Sequence, residues 1–212
     1  MNNKTLAIGI GTCITGSVMA DYTGLSHEMI DANPGTFRVY LNFDNEADEL
    51  HAVYGVTANT LFVDSLNGFY QNAFGGPTSA DINPALFDPF PSLMYDSWVT
   101  IGLEDNVDNN MLNIGIDWSD FEDNGGRFET NNGTWFVTPD DPQRIVGEDL
   151  RILIGQFTSL QPSFRPDIHG FINIQGERAV GGTYNVLDIP LPGPGVLSML
   201  GIAGIMFVRR RR

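Results

Sequence analysis

The densest collection of oxygen-bearing side chains in the chain is Asp117-Trp118-Ser119-Asp120-Phe121-Glu122-Asp123-Asn124-Gly125-Gly126. Carboxylates at alternating positions that run into Asn-Gly supply hard oxygen ligands on a backbone able to turn sharply, which is what a hard cation such as calcium needs. Asp120, Glu122 and Asn124 fall at the first, third and fifth places of an Asp-x-Asp-x-Asn-Gly arrangement, with Gly125 sixth and Asp117 as a further ligand. The twelfth place is Asn131 rather than a bidentate glutamate, and no helices are expected to flank the loop, so an EF-hand is excluded. The expectation is an open calcium loop of extracellular-type affinity, about 10⁻⁴ to 10⁻³ M. The structural alternative is a solvated acidic turn.

A second constellation, Tyr95-Asp96-Ser97-Trp98, puts a carboxylate, a hydroxyl and two aromatic rings where an irregular stretch meets a strand. Carbohydrate sites use this mixture, with flat rings against sugar faces and carboxylates accepting hydroxyl hydrogen bonds, so Tyr95, Asp96 and Trp98 are candidate ligand-binding residues. The alternative is a core tryptophan beside an aspartate bonded to nearby backbone, and Trp118 and Trp135 face the same choice. Catalytic templates are missing: there is no Gly-x-Ser-x-Gly elbow, no His-Glu-x-x-His, and no phosphate-cradling loop. His27, His51 and His169 lack ligand spacing and read as surface or strand-edge residues. Paired carboxylates suit glycoside hydrolysis, but among 26 acids some pair is always at hand, so no catalytic residue is assigned.

Charge narrows the partners. All 26 acids lie between residues 21 and 188, against Arg38, Arg127, Arg144, Arg151, Arg165 and Arg178 and no lysine in that span. Such a surface repels nucleic acid and favours cations and solubility. The single cysteine, Cys13, precedes it, so disulfides and thiol chemistry are excluded from the span.

The elements that must position these groups read as strands. Thr36 to Phe43 alternates, with Phe37, Val39, Leu41 and Phe43 on one face. Similar runs recur at 50–57, 60–63, 98–103, 111–118, 127–130, 134–137, 150–158, 170–175 and 182–187. Asn131-Asn132-Gly133 reads as a tight hairpin between two of them. No stretch sustains a 3.6 period, and the best architecture is an all-β, antiparallel two-sheet sandwich, jelly-roll-like. Residues 73–95 break the rhythm with four prolines and six large apolar side chains, and Asn83-Pro84 is placed to cap one short helical turn. Their aromatics are expected to plug an open end of the sandwich, with a ligand-binding rim as the functional alternative.

The ends read as addresses. Lys4, a short apolar stretch and Val18-Met19-Ala20 form a secretory leader over 1–20, cut after Ala20. Residues 189–212 carry Pro192-Gly193-Pro194, a charge-free apolar helix and Arg209, Arg210, Arg211 and Arg212. The apolar run of 13 residues rises about 20 Å as a helix against a hydrocarbon core of about 30 Å, so a processed signal fits better than a permanent anchor. This tail resembles the PEP-CTERM sorting signal, with Gly193 where that family usually has glutamate. Leu191-Pro192-Gly193-Pro194-Gly195 also resembles a sortase motif, with proline in place of its threonine. The PEP-CTERM resemblance implies an exosortase-type processing enzyme as partner, transient membrane insertion, and placement at the cell surface, outer membrane or extracellular matrix.

Together these readings give an exported acidic sandwich spanning 21–188 with a structural or adhesive role. It would contact polysaccharide or copies of itself, with calcium rigidifying its loops. The competing class is an extracellular carbohydrate-active enzyme on the same fold.

Overall fold

The computed structural model describes residues 22–193. The leader, and Pro194 and Arg209 to Arg212 of the sorting signal, lie outside the described residues. Nine strands follow in chain order: β1 (Tyr22–Asp31), β2 (Thr36–Phe43), β3 (Glu49–Ser65), β4 (Trp98–Val99), β5 (Leu112–Ile114), β6 (Phe128–Phe136), β7 (Arg151–Thr158), β8 (Ile168–Glu177) and β9 (Thr183–Pro190). A short helix, α1 (Ser119–Asn124), lies between β5 and β6. The strands form a four-stranded sheet, β1-β2-β7-β4, and a five-stranded sheet, β5-β6-β3-β8-β9, antiparallel throughout.

Alternation builds the core between the sheets. Val39, Leu41 and Phe43 of β2 and Ile152, Ile154 and Phe157 of β7 meet Leu50, Val53, Leu61 and Val63 of β3 and Ile172 and Ile174 of β8, all buried. The all-β two-sheet sandwich expected from period-two patterning is what these residues form.

Residues 73–95 do not plug an end. They lie on the outer face of the four-stranded sheet, where Ile82 and Leu93 pack with Tyr40, Trp98 and Leu153 as a second apolar cluster. Three 3₁₀ turns (Ser79–Asp81, Pro84–Leu86 and Pro91–Tyr95) shape this cover, and the side chain of Asn83 accepts from Ala85 N as its cap. Gln156 of β7 fastens the cover by donating to the carbonyls of Met94 (3.0 Å) and Asp96 (2.9 Å). Hence β7 is buried on both faces, which is why it reads Ile-Leu-Ile without a polar alternate.

Two further expectations change. The runs at 50–57 and 60–63 are one strand, β3, whose pairing with β6 is broken by an excursion at 57–60, between Val56 opposite Asn132 and Leu61 opposite Thr130. Asn131-Asn132-Gly133 is no hairpin: β6 runs straight through it, pairing Asn132 with Val56 and Gly133 with Gly55. Glycine is needed there for close approach, since a Cβ at Gly133 would stand 2.3 Å from the Gly115 carbonyl oxygen, and one at Gly55 would stand 2.0 Å from that of Thr130.

Candidate functional site

Tyr95, Asp96 and Trp98 are brought to the seam between the cover and the four-stranded sheet. Asp96 is fully buried. Its Oδ1 accepts from Asn72 N (2.7 Å) and its Oδ2 from Gly76 N (3.2 Å), and the Gln71 amide, turned nitrogen inward, reaches Oδ1 at 3.1 Å. A Cβ at Gly75 would lie 1.7 Å from Oδ2, so the chain can wrap the carboxylate only with glycine there. Burial pushes the Asp96 carboxyl up to about 7, the negative charge of Glu122 adds to this, and the amide donors oppose it. Trp98 is buried in the apolar cluster, and the half-buried Tyr95 hydroxyl donates to Asp31 Oδ2 at 3.3 Å. The three therefore close a loop rather than line a cleft, which is the structural alternative named above.

The acidic stretch takes helical form instead of the expected loop. Phe121 drives it: fully buried, it packs edge-on against Phe69 and Phe128 with ring centroids 5.2 and 5.0 Å away. Gly125 ends the helix with φ 63°, so Asn124-Gly125 is a C-cap rather than a ligand turn. Asp117 Oδ1 is taken by the Ser119 amide (3.0 Å) and hydroxyl (2.6 Å), which hold its carboxyl below the usual range. Asp120 Oδ1 accepts from Asn124 Nδ2 one turn on, at 2.9 Å. Glu122, two residues from each, has a buried Oε1 without a hydrogen-bond partner, and burial, then Asp81 and Asp123, push it up to about 7. The helix thus separates Glu122 from Asp120 and Asn124, because residues two apart point to opposite sides. It also brings Glu122 electrostatically close to Asp96, a pairing that joins the two constellations.

Among the described residues the one trio of His, Cys, Asp or Glu side chains with ligand atoms within 4.8 Å of one another is Glu49, His51 and Glu177. Its positive charge is already present. Arg144 donates through Nε to Glu49 Oε2 (2.7 Å) and through a terminal nitrogen to Oε1 (3.1 Å), while His51 Nε2 lies 2.7 Å from Oε2. The Arg144 hydrogen bonds lead in lowering the Glu49 carboxyl. This is an ion network that pins the 3₁₀ turn Pro142–Arg144 to β3.

Beside it lies a groove that no motif announced. On the outer face of the five-stranded sheet, Ala52 of β3 is paired with Phe136 of β6 on one side and Gln175 of β8 on the other, and Gln175 with Asn185 of β9. One register step along, Ile114, Thr134 and Tyr54 stand side by side. Alanine between larger neighbours leaves a hollow of about 630 Å³, walled further by His51, Val137 and Pro139. The Tyr54 hydroxyl donates to Asn185 Oδ1 at 3.3 Å, fixing its ring. Beyond it the 57–60 excursion is held by Asn173 Nδ2, which donates to the carbonyls of Tyr54 and Asn59, both at 2.9 Å. The available signal was Thr134-Trp135-Phe136-Val137: with Trp135 and Val137 inward, Phe136 must face out.

No known protein family, curated protein or solved structure matches the chain. The functional reading therefore rests on geometry and chemistry alone.

Proposed function

We propose that the chain is an exported, acidic β-sandwich acting at the cell surface, in the outer membrane or in the extracellular matrix, structural or adhesive in role, through contact with polysaccharide or with copies of itself. The observation that carries this reading is the outer face of the five-stranded sheet, which no described residue covers and which exposes Leu112, Ile114, Phe171 and Leu187 beside amide side chains. Exposed apolar groups gathered on a strand platform are what a surface of contact needs. The excess of acids supports an extracellular setting and disfavours nucleic acid. Calcium enters as a counter-ion of that acidic surface, since Glu122 faces away from Asp120 and Asn124.

The jelly-roll-like winding, the cleaved leader, the apolar tail helix, its transient membrane insertion and its exosortase-type processing belong to the same reading. In support of the winding, the chain changes sheet at β2–β3, β3–β4, β4–β5, β6–β7 and β7–β8. The export steps are supported by the sequence at 1–20 and 189–212.

The competing reading, an extracellular carbohydrate-active enzyme, has one argument behind it: burial pushes the carboxyls of Asp96 and Glu122 up to about 7, where general acids work. The full burial of Asp96, which keeps its carboxyl from a substrate, counts against the enzyme. The deciding experiment incubates the full-length chain with extracted matrix polysaccharide. Retention without release of reducing sugar is expected, and turnover abolished by Asp96→Asn would replace this reading with the enzyme. Intact mass of protein from the surface fraction should show loss of 1–20 and of the four terminal arginines.

A further inference from the structure

We infer that the groove between Tyr54 and Phe136 binds a neutral glycan chain laid across β6, β3 and β8. This rests on the polysaccharide-contact reading and names where that contact is made and with what class of sugar.

Charge selects the class. The groove lining contains no Asp, Glu, Lys or Arg, on a domain that carries 26 acids. An acidic glycan approaching this surface is repelled and finds neither Lys nor Arg in the groove lining to offset the repulsion, while His51 is engaged with Glu49. A cationic ligand meets stronger attraction at the carboxylate clusters. A second copy of the chain carries the same excess of acids over its surface, and the repulsion between the two domains opposes self-association at low salt. An uncharged polyol suffers none of these penalties.

The lining then matches what a pyranose presents. A sugar ring has an apolar C–H face and a rim of hydroxyls. Tyr54 and Phe136, both half-buried, offer rings to the first, and the exposed amides of Gln175 and Asn185 offer donors and acceptors to the second. The Gln175 amide makes no hydrogen bond among the described residues, and Asn185 uses only its oxygen, for the Tyr54 hydroxyl. Burial pushes the Tyr54 phenol up, so that hydroxyl stays a donor at neutral pH. The hollow of about 630 Å³ falls within the roughly 300–1,000 Å³ typical of small-ligand sites, room for a short run of sugar rings.

The other aromatic patch on this face is already served. Phe62 stacks edge-on with Phe171 at 5.8 Å, and the Arg127 guanidinium sits 4.0 Å from the Phe62 ring centre. That leaves Tyr54 and Phe136 as the aromatic pair on this face with no arginine among the described residues stacked against either ring.

The test is affinity electrophoresis of the purified full-length chain in gels containing hydroxyethylcellulose or soluble starch as neutral glycans, or alginate as an acidic one. Retardation by a neutral glycan and none by alginate is expected. Tyr54→Ala and Phe136→Ala should each weaken retardation at least tenfold, and Gln175→Ala several-fold. Tyr54→Phe, which keeps the ring, should stay within threefold of wild type. Thermal midpoints separate lost binding from lost fold, and exposed Gln175 gives a variant whose fold is not at stake. Retention on matrix polysaccharide that survives both ring deletions overturns the groove and leaves the adhesive reading standing. Retardation by alginate alone, or by neither neutral gel, overturns the neutral class. A dimer abolished by Phe136→Ala assigns the face to self-association and overturns the inference. Failure to bind either the gels or the matrix polysaccharide removes both readings.

Discussion

The two sheets share a core but differ on their outer faces. The four-stranded sheet carries Tyr40, Trp98 and Leu153 outward, and the segment 73–95 seals them under Ile82 and Leu93. The five-stranded sheet carries Tyr54, Phe136, Leu112 and Ile114 outward and nothing covers them within the described residues. On the first sheet the aromatic-and-carboxylate constellation is spent on holding the cover in place. On the second, half-buried aromatics and exposed amides are left at the surface, tied by the hydrogen bond from Tyr54 to Asn185. In this sandwich, chemistry-bearing residues close to prolines and glycines serve the fold, and the plain strand residues are the ones available to a ligand.

That contrast breaks if the two faces cost the same to damage. Trp98→Ala should destabilise by about 3–5 kcal/mol in urea unfolding, the range for deleting a large buried aromatic, whereas Phe136→Ala should cost about 1 kcal/mol or less because its ring is partly solvated already. Equal losses would mean that the five-stranded face is also core. Gly75→Ala sharpens the point at the cover alone: with 1.7 Å between the new Cβ and Asp96 Oδ2, a loss of about 2–3 kcal/mol is expected, and a neutral result would show that the cover does not depend on its wrapped carboxylate.

The pH dependence comes next. Asp96 and Glu122 are raised from 3.8 and 4.5 to about 7 in the fold, so the native state binds more protons than the unfolded chain between about pH 4 and 7. Their contribution is fully present below about pH 4 and is lost as pH rises through 7. A tenfold difference in proton affinity between folded and unfolded chain is worth about 1.4 kcal/mol, and with half-buried Glu122 heavily discounted for screening, a fall on the order of 4 kcal/mol over this window is expected, most of it from buried Asp96. Glu49, lowered chiefly by Arg144, acts oppositely, its share being lost as pH falls below the ordinary glutamate range. Glu122→Gln should flatten the decline and raise the thermal midpoint at pH 8; an unchanged profile would place the Glu122 carboxyl in solvent. The smallest effect is electrostatic and global: raising sodium chloride from 0.01 to 0.1 M shortens the Debye length from about 30 to about 10 Å, and the midpoint should rise by one or two degrees as the acids are screened.

The fold was legible because its inward positions alternate: Phe37, Val39, Leu41 and Phe43 are all buried as the pattern in β2 requires. The cover was partly legible. Its prolines and apolar residues marked a packed segment, but only the unbroken Ile152-Leu153-Ile154 run shows which surface it packs on, since a strand with both faces buried has no polar alternate. Asn131-Asn132-Gly133 misled because the same tolerance that suits a turn also suits the close crossing of three backbones at Gly55, Gly115 and Gly133. The acidic helix misled for another reason. Six residues are too few to show a period, and the buried ring of Phe121, a tertiary effect, decides their conformation. The groove was not legible as a site at all, because Tyr54, Phe136, Gln175 and Asn185 are joined by register and not by spacing.

The central strands of both sheets depend on distant partners: Arg38 is registered against Gln156, and Leu50 against Gly176. Neither sheet can close until nearly the whole domain has been synthesised. Topologies of this kind fold in milliseconds to seconds, against microseconds for chains built from local contacts. For a protein that leaves the cell as proposed, slowness is an asset. While β7 and β8 are still emerging from the ribosome, β2 and β3 lack their central partners, and the chain stays threadable for as long as a translocation pore needs it to be.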